Sequence, residues 1–506
     1  MKNKSYWQKQ NKYFSFQNKN NKNCDVLIIG GGMTGIMSAY ELSKQSNLSI
    51  ILTTSNHLAM DISAKTTAKI TPMHNLMYQD IDKIHGHRKA KQYYQSQVDA
   101  MNHIVSIINQ EKIDCDLQES NNYMYAQTTQ GYKKLKKEYQ TLKKLKIDAE
   151  LVNQIPINLE IIKAIKYDSN YSFHPIKYLN HIIKILQTLP NVSILEGYHL
   201  SSFKKENRQY IVNYTNHRTI KAKHMIVASH YPIFVLPGLY ASKLYQEKTY
   251  LAAFKTTKVI NDLYINTDEP VHSLRCANDK EKSIAIFAGN SHIAGKKHKY
   301  SQNPSAQLIQ EIKKFDANAT IIDTWTNQDV LSIDYLPYIG RYSRLYKHIY
   351  VATSFSTWGM TNSHVASLLL KDIILGKKNK YQELYNSQRL SHILSPIESI
   401  KQIARAIDGL LIKRLRFPKQ IRKLANGEGD IVSYRGIRYA CYNDGKQYYL
   451  LKPSCSHTKC FLHFNALEKT WDCPCHGSRF DVQGNVINGP ANKALSKKVF
   501  AKHFPD

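Results

Sequence analysis

The chain has 506 residues, 42% of them hydrophobic, and a formal net charge of +31. No run of ~18 or more apolar residues occurs, which excludes a helical membrane span, and the Lys/Asn/Gln-rich opening from Met1 to Asn23 lacks the apolar stretch of a secretory signal. The basic residues are spread along the chain beside abundant Asn, Ile and Tyr, so the charge reads as compositional bias and not as a nucleic-acid surface; a cytoplasmic protein is expected, with peripheral contact as the only membrane role left.

Taken in chain order, residues 1–23 read as a loosely structured arm. The apolar run Asp25-Val-Leu-Ile-Ile-Gly30 predicts a buried parallel strand, followed by a helix over 33–44 and a second strand over 48–52. Residues 81–150 read as mostly helical and charged. A turn at Phe173-His-Pro175 precedes another helix, and strands are expected at 192–195, 210–214 and 225–228. The run His348-Ile-Tyr-Val-Ala352 predicts a further strand, which leads through 356–359 into a helix over 362–375. From 381 to 418 the chain is basic and helical. Beyond Gln420, short strands alternate with the turn signals Asn426-Gly, Asn443-Asp-Gly445 and Gln483-Gly-Asn485, an all-β pattern. The expected division is an arm (1–23), a large α/β unit (24–380), a helical connector (381–418) and a small β unit (419–506).

Gly30-Gly-Gly32-Met-Thr-Gly35 follows the first strand and opens the helix. Glycines in that setting let the backbone approach a pyrophosphate at a helix N-terminus. The acid expected about 20 residues later to hold a ribose is missing: the second strand runs into Thr53-Thr54, with no acid before Asp61. No second copy of the motif serves a separate nicotinamide, which favours FAD over NAD.

Four of the eight cysteines, Cys24, Cys115, Cys276 and Cys441, are scattered; the other four crowd between Cys455 and Cys475. Crowding of that kind in a cytosolic chain points to metal before disulfides. Cys455-Ser-His457 and Cys473-Pro-Cys-His476 stand fifteen residues apart as two Cys/His pairs. Such pairs suit a structural zinc or a binuclear cluster in which two thiolates hold one iron and two imidazoles the other.

The stretch Cys473-Pro-Cys-His-Gly-Ser-Arg-Phe-Asp481 resembles the second cluster-binding loop of the Rieske family, and Asn485-Val-Ile-Asn-Gly-Pro490 resembles its shielding loop. That context decides for a [2Fe–2S] cluster over zinc. The resemblance implies Cys455 and Cys473 as thiolate ligands, His457 and His476 as imidazole ligands, and a disulfide between Cys460 and Cys475. It also implies Ser478 as a hydrogen-bond donor to a cluster sulfide, with Phe480 in place of a tyrosine that usually donates a second bond. Fewer donors lower the expected potential within a range of about −150 to +300 mV.

Val351-Ala-Thr-Ser-Phe-Ser-Thr-Trp-Gly-Met-Thr361 resembles the C-terminal flavin contact of the D-amino-acid oxidase/glycine oxidase superfamily, and Leu336-Pro-Tyr-Ile-Gly-Arg341 is a second landmark of it. Thr66-Thr-Ala-Lys-Ile-Thr71, Phe173-His-Pro-Ile-Lys-Tyr178, His230-Tyr-Pro232, Pro237-Gly-Leu-Tyr240 and Trp358-Gly-Met-Thr-Asn362 are similar to one branch, bacterial FAD-dependent oxidoreductases fused to a C-terminal Rieske domain. The similarity runs from about Tyr6 to Phe500. It implies an α/β FAD-binding Rossmann-like domain with a mixed α+β substrate domain, followed by a small all-β Rieske domain. It further implies FAD contacts at Gly30, Gly32, Met33, Thr34, Gly35, Thr66, Thr67, Trp358, Gly359, Met360 and Thr361.

In that superfamily the flavin takes a hydride from a carbon beside an amine nitrogen. A cluster accepts electrons singly, so the expected function is FAD-dependent oxidation of a CH–NH substrate, with electrons leaving through the cluster to an external acceptor, an acidic carrier protein or a quinone. Amino-acid oxidases of the superfamily place a carboxylate-gripping arginine eight residues before the Pro of Pro-Tyr-Ile-Gly; here that position is Asp329, preceded by Gln328. An acid repels a carboxylate, so a cationic amine is favoured over a simple α-amino acid. Arg275 is a further polar candidate, whereas His230 receives no role, because a lone histidine is more often structural. The alternative is a redox relay or sensor that exchanges electrons with protein partners only; bleaching of the flavin by an amine separates the two. The 30 residues after His476 leave no room for the iron domain of a Rieske oxygenase.

Overall fold

Residues 26–29 are buried at the centre of an eight-stranded sheet. The strand Asn23–Ile29 pairs in parallel with Ile50–Thr54 on one side and Thr219–Val227 on the other, and Val192–Glu196 and Tyr346–Thr353 extend the parallel part on either flank. Strands covered on both faces read as continuous apolar runs, which is why no alternation marks them. The structure is a computed structural model and describes residues 4–10, 21–233, 238–277, 284–296, 298, 301, 303–407, 419–420 and 424–501. The helices Met33–Gln45 and Gly359–Ile374 pack against each other on this sheet. The second of them begins three residues before its expected start at 362, directly after Trp358.

A second, nine-stranded mixed sheet builds the other half of the flavin unit. Its order begins Thr320–Ser332, Leu244–Lys255, Ile284–Ile293, His272–Cys276, Leu263–Asn266, Gln118–Ala126. The strand Gln118–Ala126 corrects the helical reading of 81–150. The helices Met77–His85, His87–Gln110 and Thr129–Lys144 do form, but Tyr123, Met124 and Tyr125 between them pair with both Leu263–Asn266 and Lys163–Ser172. Burial in a sheet assembled from distant segments overrides local pattern.

The expected arm is also corrected over residues 4–10; residues 1–3 and 11–20 lie outside the described residues. Tyr6–Lys9 is a helical turn closed by a capping box of Ser5 and Gln8. Trp7 is fully buried, donates from Nε1 to the Thr66 carbonyl at 2.8 Å, and lies 4.7 Å from the His174 ring. One aromatic pair is too short a signal for periodicity to register.

The boundary expected at 380 shifts for a similar reason. Tyr381, Leu384 and Tyr385 belong to the core of the flavin unit, and Arg389 pairs with buried Asp334 at 2.6 Å. The short helices Ser391–Leu394 and Pro396–Ile407 follow; 408–418 of the expected connector, and Pro237 of the Pro237–Tyr240 motif, lie outside the described residues.

The C-terminal unit consists of a five-stranded and a four-stranded sheet, antiparallel apart from the Lys419–Gln420 edge. Among the described residues, no helix is long and apolar enough to cross a membrane.

Candidate functional site

The glycine-rich turn forms one end of a cleft. At Gly30 (φ +126°) an added Cβ would stand 2.2 Å from the Ala228 carbonyl oxygen, and at Gly35 1.8 Å from the Gly30 oxygen, so neither position accepts a side chain. Gly32 caps the helix Met33–Gln45 without a side-chain hydrogen bond, and Trp358 caps Gly359–Ile374 in the same bare way. Two helix N-termini, tied together by Thr34 Oγ1 and Ser363 Oγ at 2.9 Å, therefore point their amides at one space. The cleft is lined by Gly30, Gly32, Met33 and Thr34, by Thr53, Thr54, Asp61 and Thr66, and by Ser354, Gly359 and Met360.

Ser354 Oγ and Asn327 Oδ1 are buried on its wall without partners. His230, Ser354 and Thr357 line it with φ of +66°, +66° and +72°. Left-handed backbone at a β-branched residue is costly and marks a place where a ligand's needs outweigh local comfort. A bare glycine cradle, two open helix ends and orphaned polar atoms fit a dinucleotide. Thr67 and Trp358 line the adjoining cavity instead, where Trp358 stacks on His74 at 4.4 Å; Gly35 and Thr361 stand behind the wall, Thr361 being buried 3.4 Å from His74.

That adjoining cavity shares Thr66, Asn327, Asp329, Thr357 and Met360 with the cleft. Asp329 and Glu247 are direct cross-strand partners and both face it. Like charges opposite each other destabilise a sheet. Burial, then Glu247, push the Asp329 carboxyl up to about 7, while Asn327 Nδ2 donates to it at 3.0 Å. Asp80 and Glu269 also line the cavity; among the described residues no arginine does, and burial lowers the one lysine there, Lys69, to about 7. Neither Glu247 nor Asp80 carried a sequence signal, since nothing local marks which acids a sheet brings together.

The other two polar candidates lie elsewhere. Alternation along the strand turns Gln328 away from Asp329: its Nε2 donates to Gln246 and, at 2.6 Å, to the Gly477 carbonyl of the C-terminal unit. Arg275 is buried behind the sheet, donating to the Phe173 carbonyl at 3.1 Å with its guanidinium 5.3 Å from the Trp7 ring. It supports the N-terminal turn and does not line the cavity.

In the C-terminal unit, Cys460 and Cys475 form a disulfide, and both sulfurs lie within 4.8 Å of Cys473 Sγ. The disulfide consumes two of these three sulfurs as donors, which leaves the buried thiols of Cys455 and Cys473. A hydrogen bond between the two thiols lowers Cys455, to about 7, and raises Cys473. The imidazoles of His457 and His476 stand 5.2 Å apart; burial lowers them to about 4 and about 3, so both are neutral, and His457 Nδ1 is buried without a partner. Two adjacent thiols and two neutral imidazoles fit a cluster with mixed ligands.

This site sits against the flavin unit. Gln246 Nε2 donates to the His476 carbonyl at 2.6 Å, and the Tyr231 ring lies 5.9 Å from His476 and 6.4 Å from His457. Buried Lys248 pairs with Glu468, which also pairs with Arg479; Arg479 Nε reaches Asp472 at 3.2 Å. The strand pair Leu244–Lys255 and Thr320–Ser332 is thus a shared wall, with Glu247 and Asp329 facing the cavity and Gln246, Lys248 and Gln328 facing the C-terminal unit.

Two family models match the chain: FAD dependent oxidoreductase (DAO) over residues 25–373 and Rieske [2Fe-2S] domain over 418–502. The putative Rieske 2Fe-2S iron-sulfur protein YhfW of Bacillus subtilis (strain 168) is 32% identical over 504 residues, 97% of each chain. Cytochrome b6-f complex iron-sulfur subunit 2 of Trichormus variabilis is 48% identical over 42 residues, 8% of this chain and 24% of that protein. Among solved structures, glycine oxidase from Geobacillus kaustophilus superposes with a TM-score of 0.60 at 14% identity, over 73% of this chain and 99% of that one. L-proline dehydrogenase from P. horikoshii gives 0.59 at 16% identity, over 74% and 99%.

Proposed function

The chain belongs to the DAO family of FAD dependent oxidoreductases and carries a Rieske [2Fe-2S] domain, and from that premise we propose that it oxidises a cationic amine at a CH–NH bond and passes the electrons singly to an external acceptor. The observation that carries this reading is the pair of carboxylates, Asp329 and Glu247, facing the cavity next to the dinucleotide cleft. A cavity lined by four acids and one lysine suits an ammonium group and repels a carboxylate.

Gly30, Gly32, Met33 and Thr34 would cradle the FAD phosphates, with Gly35 supporting that turn from behind, and Thr66, Gly359 and Met360 would flank the ring, with Thr67 and Trp358 on the side of the adjoining cavity and Thr361 behind the wall. Cys455, His457, Cys473 and His476 would hold the cluster. When bound, FAD supplies the hydride acceptor and the cluster a one-electron carrier. The chain's own part is binding and proton handling. The Asp329 and Glu247 carboxylates hold the ammonium; a carboxyl poised near neutrality at Asp329 can take the proton that the amine nitrogen must lose before its neighbouring carbon releases a hydride. The acceptor is a carrier protein of acidic surface or a quinone; a formal net charge of +31 favours the former.

Anaerobic mixing with a panel of primary, secondary and N-methylated amines tests this, with flavin absorbance and the reduced-cluster EPR signal followed together. Bleaching with the EPR signal is expected. Silence across the panel, from protein whose flavin and cluster both respond to dithionite, would overturn the amine reading in favour of a protein-to-protein relay.

A further inference from the structure

We propose that Tyr231 of the flavin unit completes the cluster site, its hydroxyl donating to the sulfur shell of the [2Fe–2S] group, so that the cluster's potential depends on the two units remaining docked. This rests on the Rieske reading of Cys455, His457, Cys473 and His476; it does not need the amine reading.

Tyr231 is 3% exposed, and its hydroxyl has no hydrogen-bond partner among the described residues. A buried hydroxyl left without an acceptor is expensive, so one that persists marks an acceptor still to be supplied. The Tyr231 ring packs edge-on to both imidazoles, whose second nitrogens are donors once the first binds iron, so the acceptors left at the site are its sulfurs. Within the C-terminal unit Ser478 is fully buried, and its hydroxyl accepts from the Ala491 amide at 3.1 Å. Phe480, also fully buried, has no hydroxyl to offer. The second donor that Phe480 lacks is provided from across the interface.

Docking is close enough to hold that hydroxyl in place. Gln246 and Gln328 grip the His476 and Gly477 carbonyls, each at 2.6 Å. Gly477 has φ +74°, a left-handed backbone that favours glycine, and it lies directly against the ends of Gln328 and Gln246. His230, the preceding residue, lines the dinucleotide cleft, and its Nε2 donates to the Gln328 carbonyl at 2.7 Å. One short segment therefore touches both cofactor sites.

The physical effect has a definite sign. Reduction adds one electron, from the flavin or from an added reductant, and increases negative charge on the cluster sulfurs. An O–H donor stabilises that reduced form more than the oxidised one, and so raises the potential.

The test is an EPR-monitored redox titration of the full-length protein with both cofactors, using dithionite and mediators. Tyr231→Phe should shift the cluster's reduction equilibrium about tenfold toward the oxidised form, ~59 mV for one electron, with iron and sulfide content unchanged. The reduced wild-type cluster in D2O should show an exchangeable deuteron coupling by pulsed EPR that Tyr231→Phe lacks. The paired change Gln246→Ala and Gln328→Ala should lower the potential too, and adding Tyr231→Phe to it should then do little. A Tyr231→Phe protein with full cluster content and the wild-type potential overturns the proposal, as does an undiminished Tyr231→Phe effect in the Gln246→Ala, Gln328→Ala background. No substrate enters the titration, so a silent amine panel leaves its outcome untouched.

Discussion

Asp329 lies eight residues before Pro337, where the resemblance read from the sequence leads one to expect an arginine, and that difference is visible without a structure. Its surroundings are not. Glu247, eighty-two positions earlier in the chain, reaches it only because two strands pair in one register. Because burial and Glu247 hold the Asp329 proton up to about pH 7, the folded protein keeps a proton that the unfolded chain has lost above the ordinary carboxyl range of about 3.9. Stability therefore falls as pH rises through that window. Affinity for a cationic amine moves the opposite way, since it needs the ionised form: KM should fall as pH rises through neutrality. Asp329→Asn should flatten that profile and raise KM above pH 7 by about 10- to 100-fold, the ~1.5–3 kcal/mol of a hydrogen bond to a charged group. Steady-state kinetics across pH checks both parts. Gln328 shows the limit of reading neighbours along the chain, because one step along a strand reverses the face.

At the scale of elements, the βαβ opening was legible because its signal is local: a buried apolar run, a glycine turn and a helix within about 30 residues. The close approaches that make the turn a cradle confirm the requirement for glycine at Gly30 and Gly35. Gly35→Ala places a methyl against the Gly30 carbonyl, a backbone group that cannot swing aside. The expected outcome is a loss of ~1–3 kcal/mol of stability together with flavin-free protein, measured by thermal melting and by the flavin-to-protein absorbance ratio. The N-terminal turn and the strand Gln118–Ala126 were missed for the opposite reason: their burial depends on distant partners, His174 and Arg275 in one case and Leu263–Asn266 in the other.

For the whole molecule, the two units are joined by buried charge as well as by hydrogen bonds. Lys248 is 2% and Arg479 4% exposed by side chain, with Glu468 shared between them. A buried pair contributes little net stability, but removing one member leaves an uncompensated ion. Glu468→Ala should cost ~3–5 kcal/mol and, because Lys248 and Glu468 belong to different units, should split a shared calorimetric unfolding transition into two. A single transition at the wild-type temperature would show that the two units do not depend on this network.

The sequence by itself determined the cofactor chemistry, since glycine spacing and paired Cys/His motifs are set by what a pyrophosphate or an iron–sulfur cluster demands of a few contiguous residues. It also determined the order of the two units. Only the tertiary structure decided which acids face the cavity, that Gln328 and Arg275 do not, and that Tyr231 packs against His457 and His476. The physical reason is range: a ligand loop is built from neighbours in the chain, whereas a cavity wall and a domain interface are built from strand register and side-chain alternation between segments far apart in sequence.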